Sequence, residues 1–164
     1  MEPPVQPPFE IRPARSGREL HAARDLFTAY AASLPVELDY QEFDSEVSDL
    51  PGKYAPPKGE LLVAWDAVDR PVGCIGLRRL DERTGEMKRL YVLPDARSFG
   101  LGKALTLAVI ELAKVRGYSA LRLDTLATMS AAAALYDRMG FRRIDPYYSP
   151  TPPGTVFMEL KLVG

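Results

Sequence analysis

The pattern of apolar and polar positions changes character near residue 94. Before that point, four short segments either alternate between apolar and polar residues or are continuously apolar, as β-strands are. The predicted strands are residues 9–12, 61–65, 71–80 and 86–93. Charged turns, one of them closed by Gly85, join the last three strands, which indicates an antiparallel meander.

After residue 94, helices alternate with strands. Leu101, Leu105, Val109 and Leu112 share one helical face, and a glycine at position 117 ends this predicted helix. Residues 121–125, 141–144 and 155–162 are predicted strands, and an alanine-rich helix covers 130–139. Strands separated by helices call for parallel pairing through right-handed crossovers. The predicted fold class is therefore α/β, with a single mixed sheet of the α+β type.

Two further helices are predicted between the first two strands. Ser16 and Glu19 have capping-box spacing, so a helix is expected from there to about Leu34. A weaker helical stretch covers residues 37–50 and carries acidic residues without a basic one. This run is interpreted as a solvated face, with attraction of a cationic amine as the alternative.

Composition restricts the function classes. The 164 residues fit one domain, with 1–8 as a flexible, proline-rich lead and 9–164 as the folded part. The net charge of −1 gives no drive toward nucleic acid or a membrane surface, and no apolar run is long enough to span a bilayer. One cysteine, Cys74, and one histidine, His21, exclude an internal disulfide and leave too few ligands for a Cys/His zinc site. No metal cofactor is therefore expected. A cytoplasmic location is expected as well, because the lead does not have the pattern of a signal peptide.

The segment 97–103, Arg-Ser-Phe-Gly-Leu-Gly-Lys, carries the strongest signal for a ligand. Glycines at a helix entry let the backbone approach a ligand, and the unpaired N–H groups of a first helical turn attract anions. A Walker loop is excluded because position 97 is arginine and position 104 is alanine. The dinucleotide fingerprint is excluded because position 105 is leucine.

This loop, the preceding segment 87–92 and the later Ala132, Tyr136, Gly140 and Phe141 together resemble the GCN5-related N-acetyltransferase (GNAT) family. The resemblance covers about residues 9–162. It implies a single-domain acyl-CoA N-acyltransferase fold, whose mostly antiparallel sheet has a central, splayed parallel pair and about four helices. It also implies direct transfer of an acetyl or acyl group from acetyl-CoA to a primary amine of a small molecule, peptide or protein. A monomer or homodimer without nucleic-acid or membrane partners is expected.

The resemblance also implies site residues. The pantetheine arm of coenzyme A would pair with the main chain of Leu90, Tyr91 and Val92. The pyrophosphate would be held by a run of loop residues: Arg97, Ser98, Phe99, Gly100, Leu101, Gly102 and Lys103. Many relatives have asparagine where this chain has Met129, so the side-chain contact to the arm is expected to be either missing or moved to Ser130 or Thr125.

Tyr136 is the candidate acid for the departing thiolate, and Glu86 is the candidate base for the amine. The alternatives are a packing role for Tyr136 and a solvated position after the Gly85 turn for Glu86. The acceptor would lie between segments 34–50 and 145–154, where Tyr147 and Tyr148 could form a pocket wall. A non-catalytic acyl-CoA sensor, or an interaction module with the same fold, is the alternative function.

Overall fold

The computed structural model describes residues 9–38 and 42–162, in which a seven-stranded sheet has helices on both faces. The strands are β1 Glu10–Pro13, β2 Glu60–Trp65, β3 Pro71–Arg79, β4 Thr84–Val92, β5 Ala120–Thr125, β6 Arg142–Ile144 and β7 Val156–Lys161. The helices are α1 Gly17–Ser33, α2 Phe43–Ser48, α3 Leu101–Val115 and α4 Ser130–Arg138, with single 3₁₀ turns at Gly52–Tyr54 and Pro94–Ala96. The predicted lead at 1–8 and the acidic Asp39 lie outside the described residues.

The strand order is β1-β2-β3-β4-β5-β7-β6, and β4 with β5 is the parallel pair of neighbours. Their register joins Thr84, Gly85 and Glu86 to residues 120–122 and goes no further along either strand. The predicted mixed sheet with a central, splayed parallel pair is thus confirmed. The strand that follows α4, β6, does not lie beside β5, because its hairpin with β7 places β7 between them.

Alternation along the strands sends successive side chains to two separate core layers. One layer lies under α3 and α4; its buried members include Leu62, Ile75, Leu105, Leu121, Leu123, Tyr136 and Met158. The other lies under α1 and α2; its buried members include Leu26, Phe27, Tyr54, Leu61, Val63, Trp65 and Cys74. Burial raises the pKa of the Cys74 thiol, which confirms that this cysteine is a small apolar core residue.

Helix ends agree with the sequence in position and differ in detail. Gly117 and Gly140 follow α3 and α4 with φ values of 88° and 98°, the left-handed conformation expected of glycine there. Ser16 occupies the N-cap of α1, but its side chain makes no capping bond, and the Glu19 carboxylate accepts the N–H of Arg15 at 3.2 Å. The helix predicted over 37–50 is reduced to the six residues of α2.

Candidate active site

A β-bulge marks the place where β4 leaves β5. Gly76 is opposite Lys88 and Cys74 is opposite Tyr91, so Arg89 and Leu90 together face a single residue of β3. Arg89 has a φ of 63°, and such a bulge bends its strand. The Arg89 guanidinium turns toward α2, where its Nε and Nη2 donate to the two carboxylate oxygens of Glu46 at 2.8 and 3.1 Å.

A cleft of about 810 Å³ opens between the separated strands. Its walls come from the end of β4, the loop before α3 and the start of α4, and they include Leu90, Tyr91, Val92, Arg97, Ser98, Gly100, Leu101, Gly102, Lys103 and Ser130. Eleven of the thirteen residues predicted for the site were assigned to the coenzyme, and of these only Phe99 is not in the cleft wall. The elements therefore bring the predicted coenzyme residues together.

The loop before α3 is open toward this cleft. Gly100 has a φ of 77°, and a methyl group built on it would meet no atom within 4 Å. The N–H of Ala104 donates to the Gly100 carbonyl at 3.0 Å as the helix begins, so the amides just before Ala104 belong to the unpaired first turn. Those amides and the helix dipole provide a site for an anion.

Several of the residues predicted to bind the coenzyme direct their side chains into contacts with the protein itself. Arg97 donates from Nε to the Val92 carbonyl at 2.9 Å, with its guanidinium 5.8 Å from the Tyr91 ring. The ring of Phe99 packs against Phe9, at 6.1 Å between centroids, and Leu101 is buried in the core. These residues offer the cleft mainly backbone, which agrees with the main-chain contacts that the sequence predicts.

A chamber of about 40 Å³ adjoins the cleft. The two cavities share Tyr30, Leu90 and Met129, and the chamber is further lined by polar residues: Lys88, Arg89, Asp124, Thr125 and Tyr136. Tyr136 is 5 % exposed, and burial, together with Tyr30 and Asp124, raises the pKa of its phenol. Tyr136 is therefore a protonated hydroxyl at neutral pH at the inner end of the coenzyme cleft.

Glu86 lies where β4 and β5 are still paired, opposite Arg122. It is fully buried, so the alternative of a solvated residue is wrong. Its Oε1 accepts a bond from Arg78 Nε at 2.7 Å and its Oε2 accepts one from the Tyr147 hydroxyl at 2.6 Å. Of these two partners only the Tyr147 hydroxyl could relay a proton, because a guanidinium is not deprotonated in proteins.

Asp124 is a chamber residue that the sequence prediction missed. It comes two positions after Arg122, the last β5 residue in register with β4, and its carboxylate accepts the hydroxyl of Tyr148. The rings of Tyr147, Tyr148 and Phe157 pack together at 5.1–5.7 Å between centroids. The signal available in the sequence was an acidic residue alternating with buried leucines, beside the predicted splayed strand.

The acidic run is only partly a solvated face. The side chain of Glu46 is 14 % exposed and is held by Arg89 and by the Tyr54 hydroxyl at 3.0 Å. Glu42 and Asp49 are exposed, and they border a separate cavity of about 140 Å³. Glu46 thus serves the fold around β4, which the count of acidic residues could not indicate.

A splayed parallel pair with an anion-binding loop at its mouth and a tyrosine at its inner end defines an acyl-CoA-dependent N-acyltransferase. Residues 20–141 match the Acetyltransferase (GNAT) family, and the chain belongs to that family. An uncharacterised N-acetyltransferase of Schizosaccharomyces pombe is 35 % identical over 155 residues, which cover 94 % of this chain and 95 % of the relative.

Solved structures agree on the fold. A GNAT-family acetyltransferase from Staphylococcus aureus superposes with a TM-score of 0.79 at 21 % identity, over 95 % of this chain and 100 % of the other. The PaiA N-acetyltransferase of Thermoplasma acidophilum, solved in complex with coenzyme A, gives 0.71 at 21 % identity, over 94 % and 99 %. The protein is an enzyme that transfers an acetyl group from acetyl-CoA to an amine.

In the described part of the chain, no helix is long and apolar enough to cross a membrane.

Proposed function

We propose that acetyl-CoA lies along the cleft with its pyrophosphate on the amides of residues 98–103 and its reacting end in the chamber beside Tyr136. The observation that carries this proposal is that the two cavities are neighbours, with Tyr30, Leu90 and Met129 in the walls of both. The acceptor is a primary amine of a small molecule, peptide or protein, which enters between the segments 34–50 and 145–154. The free Cys74 supports a location in the reducing cytoplasm.

The transfer of the acetyl group needs a base for the amine and an acid for the departing thiolate. An alkyl amine has a pKa of about 10.4, so a base must take its proton before the nitrogen attacks the thioester carbon. The carbon–sulfur bond then breaks as Tyr136 gives its proton to the departing thiolate. The second proton, which the nitrogen loses on becoming an amide, returns to Tyr136 through solvent. The position of Tyr136 in the chamber wall supports this role, and its raised pKa means that the phenol carries its proton before the thiolate forms.

Two carboxylates are candidates for the base. The sequence points to Glu86, which would act through the Tyr147 hydroxyl bonded to its Oε2. The position of Asp124 in the chamber wall supports direct action on the amine, or action through one water. Tyr147 and Tyr148, bonded to the two carboxylates, would then align the base and form one wall of the acceptor pocket.

The experiment follows free thiol released from acetyl-CoA in the presence of a panel of amines. We expect amine-dependent release, and we expect Tyr136→Phe to lower kcat about a hundredfold while coenzyme A affinity is retained. Binding of coenzyme A without release on any amine would favour the sensor. A Tyr136→Phe variant with full activity would exclude Tyr136 as the acid.

A further inference from the structure

The chamber contains a hydroxyl group whose hydrogen-bonding capacity is unused. Thr125, the last residue of β5, is 7 % exposed, and its Oγ1 is buried without a hydrogen-bond partner in the described part of the chain. A buried hydroxyl that lacks a partner destabilises the folded protein, and native structures rarely keep one without a ligand or water to satisfy it. This hydroxyl therefore calls for a partner from outside the chain.

The direction of the side chain indicates which ligand could supply that partner. Side chains alternate along a strand, so Thr125 shares its face with Leu121 and Leu123, which pack in the core layer under α3 and α4. Asp124 lies on the opposite face, toward the tyrosines of the 145–154 loop. The hydroxyl is thus on the side of Tyr136 and the coenzyme cleft, and away from the acceptor side.

Its neighbour in the chamber wall cannot fulfil the same role. Met129 lines both the chamber and the cleft, but a thioether is only a weak acceptor and donates nothing. A threonine hydroxyl both donates and accepts, so it can pair with either the carbonyl or the N–H of an amide. The pantetheine arm of acyl-CoA presents such an amide next to its sulfur end.

We propose that the Thr125 hydroxyl binds acyl-CoA by a hydrogen bond to the pantetheine amide nearest the sulfur, and so fixes the thioester beside Tyr136. The inference rests on the proposed function, since it needs the reacting end of the coenzyme in the chamber. It assigns to Thr125 a contact to the arm that is separate from the proton transfer proposed for Tyr136.

Thr125→Val removes the hydroxyl while nearly preserving the shape of the side chain. We expect the free protein to melt at a higher temperature, because an unpaired buried hydroxyl has been replaced by a methyl group. We also expect coenzyme A to bind about fivefold more weakly, since one hydrogen bond is lost. Adenosine 3′,5′-bisphosphate, which has no pantetheine arm, should bind unchanged, and Thr125→Ser should restore coenzyme A affinity.

Thr84→Val is the matched control. Thr84 is also a buried strand threonine, but its hydroxyl is already bonded to Asp81 and lies where β4 and β5 are paired. This variant should melt at a lower temperature and keep its affinity for coenzyme A. The two valine variants are thus expected to change melting temperature in opposite directions.

The outcomes separate the two hypotheses. If the wild-type protein bound neither coenzyme A nor the bisphosphate in calorimetry, the proposed function itself would fail. If the wild type bound both and Thr125→Val bound coenzyme A equally well, the role of Thr125 would be refuted. Equal weakening of coenzyme A and of the bisphosphate would also refute it, because the effect would then not depend on the arm.

Discussion

Replacement of Gly100 by asparagine or aspartate tests whether the loop before α3 binds a diphosphate. Gly100 has a φ of 77°, is exposed, and has free space around the position of a new Cβ. A side chain therefore costs only the left-handed backbone penalty, about 1 kcal/mol for alanine and less for asparagine or aspartate. Asparagine and aspartate have the same size, so the difference between these two variants reports charge alone.

The magnitude follows from Coulomb's law. Two unit charges about 6 Å apart interact by ~0.7 kcal/mol in water and by about four times that near a protein surface. A pyrophosphate with two negative charges would thus be repelled by about 1.4–5.5 kcal/mol, and ~1.4 kcal/mol corresponds to a tenfold change in Kd. We expect Gly100→Asp to bind coenzyme A at least about tenfold more weakly than Gly100→Asn.

Isothermal calorimetry with coenzyme A at low and at high salt provides the measurement. The gap between the two variants should shrink as salt rises, because screening weakens interactions between exposed charges. The melting temperatures of the two free variants should be similar, which controls for damage to the loop. Equal affinity of Gly100→Asn and Gly100→Asp at low salt would refute a diphosphate site at this turn.

Two further perturbations address the base and the buried ion pair. Asp124→Asn and Glu86→Gln are compared in kcat/KM at one pH. A large loss confined to Asp124→Asn identifies Asp124 as the base, and a large loss confined to Glu86→Gln identifies Glu86. Glu46→Ala leaves the guanidinium of Arg89, 2 % exposed, without its carboxylate, and should lower the free energy of unfolding by about 3 kcal/mol. Urea denaturation measures this loss. Glu111→Ala is the control, because Glu111 is 70 % exposed in its ion pair with Lys114 and its removal should change the free energy of unfolding little. Equal losses in the two variants would show that the buried pair stabilises the protein no more than a surface pair does.

Local patterns were sufficient for most of the fold and for the coenzyme cleft. The positions of α3 and β5 follow from apolar periodicity, and a helix between β4 and β5 requires their parallel pairing. The loop was identified because glycine at position 100 and unpaired helix-start amides are local properties of the chain. The predicted coenzyme residues consequently lie together around one cavity.

The acceptor side could not be predicted in the same way, because its contacts join distant parts of the chain. Glu46 meets Arg89 across 43 positions, and Tyr147 meets Glu86 across 61. The bulge at Arg89 was also hidden, since arginine carries no preference for a positive φ. A charged residue that looks solvated in the sequence, such as Glu86, was therefore buried by partners that only tertiary structure brings near.

The failure of parallel pairing beyond Glu86 explains why this sheet can hold an acyl-CoA arm. From Met87 onward β4 keeps β3 on one edge, but its other edge has no strand beside it among the described residues. Backbone N–H and C=O groups inside a protein need partners, so this inner edge behaves like an exposed strand edge that accepts an added strand. A pantetheine arm carries amides at a spacing that can act as that strand. The bulge bends β4 away from β5, and the ion pair between Arg89 and Glu46 holds β4 in this bent form. The ion pair therefore helps to keep the gap between β4 and β5 open.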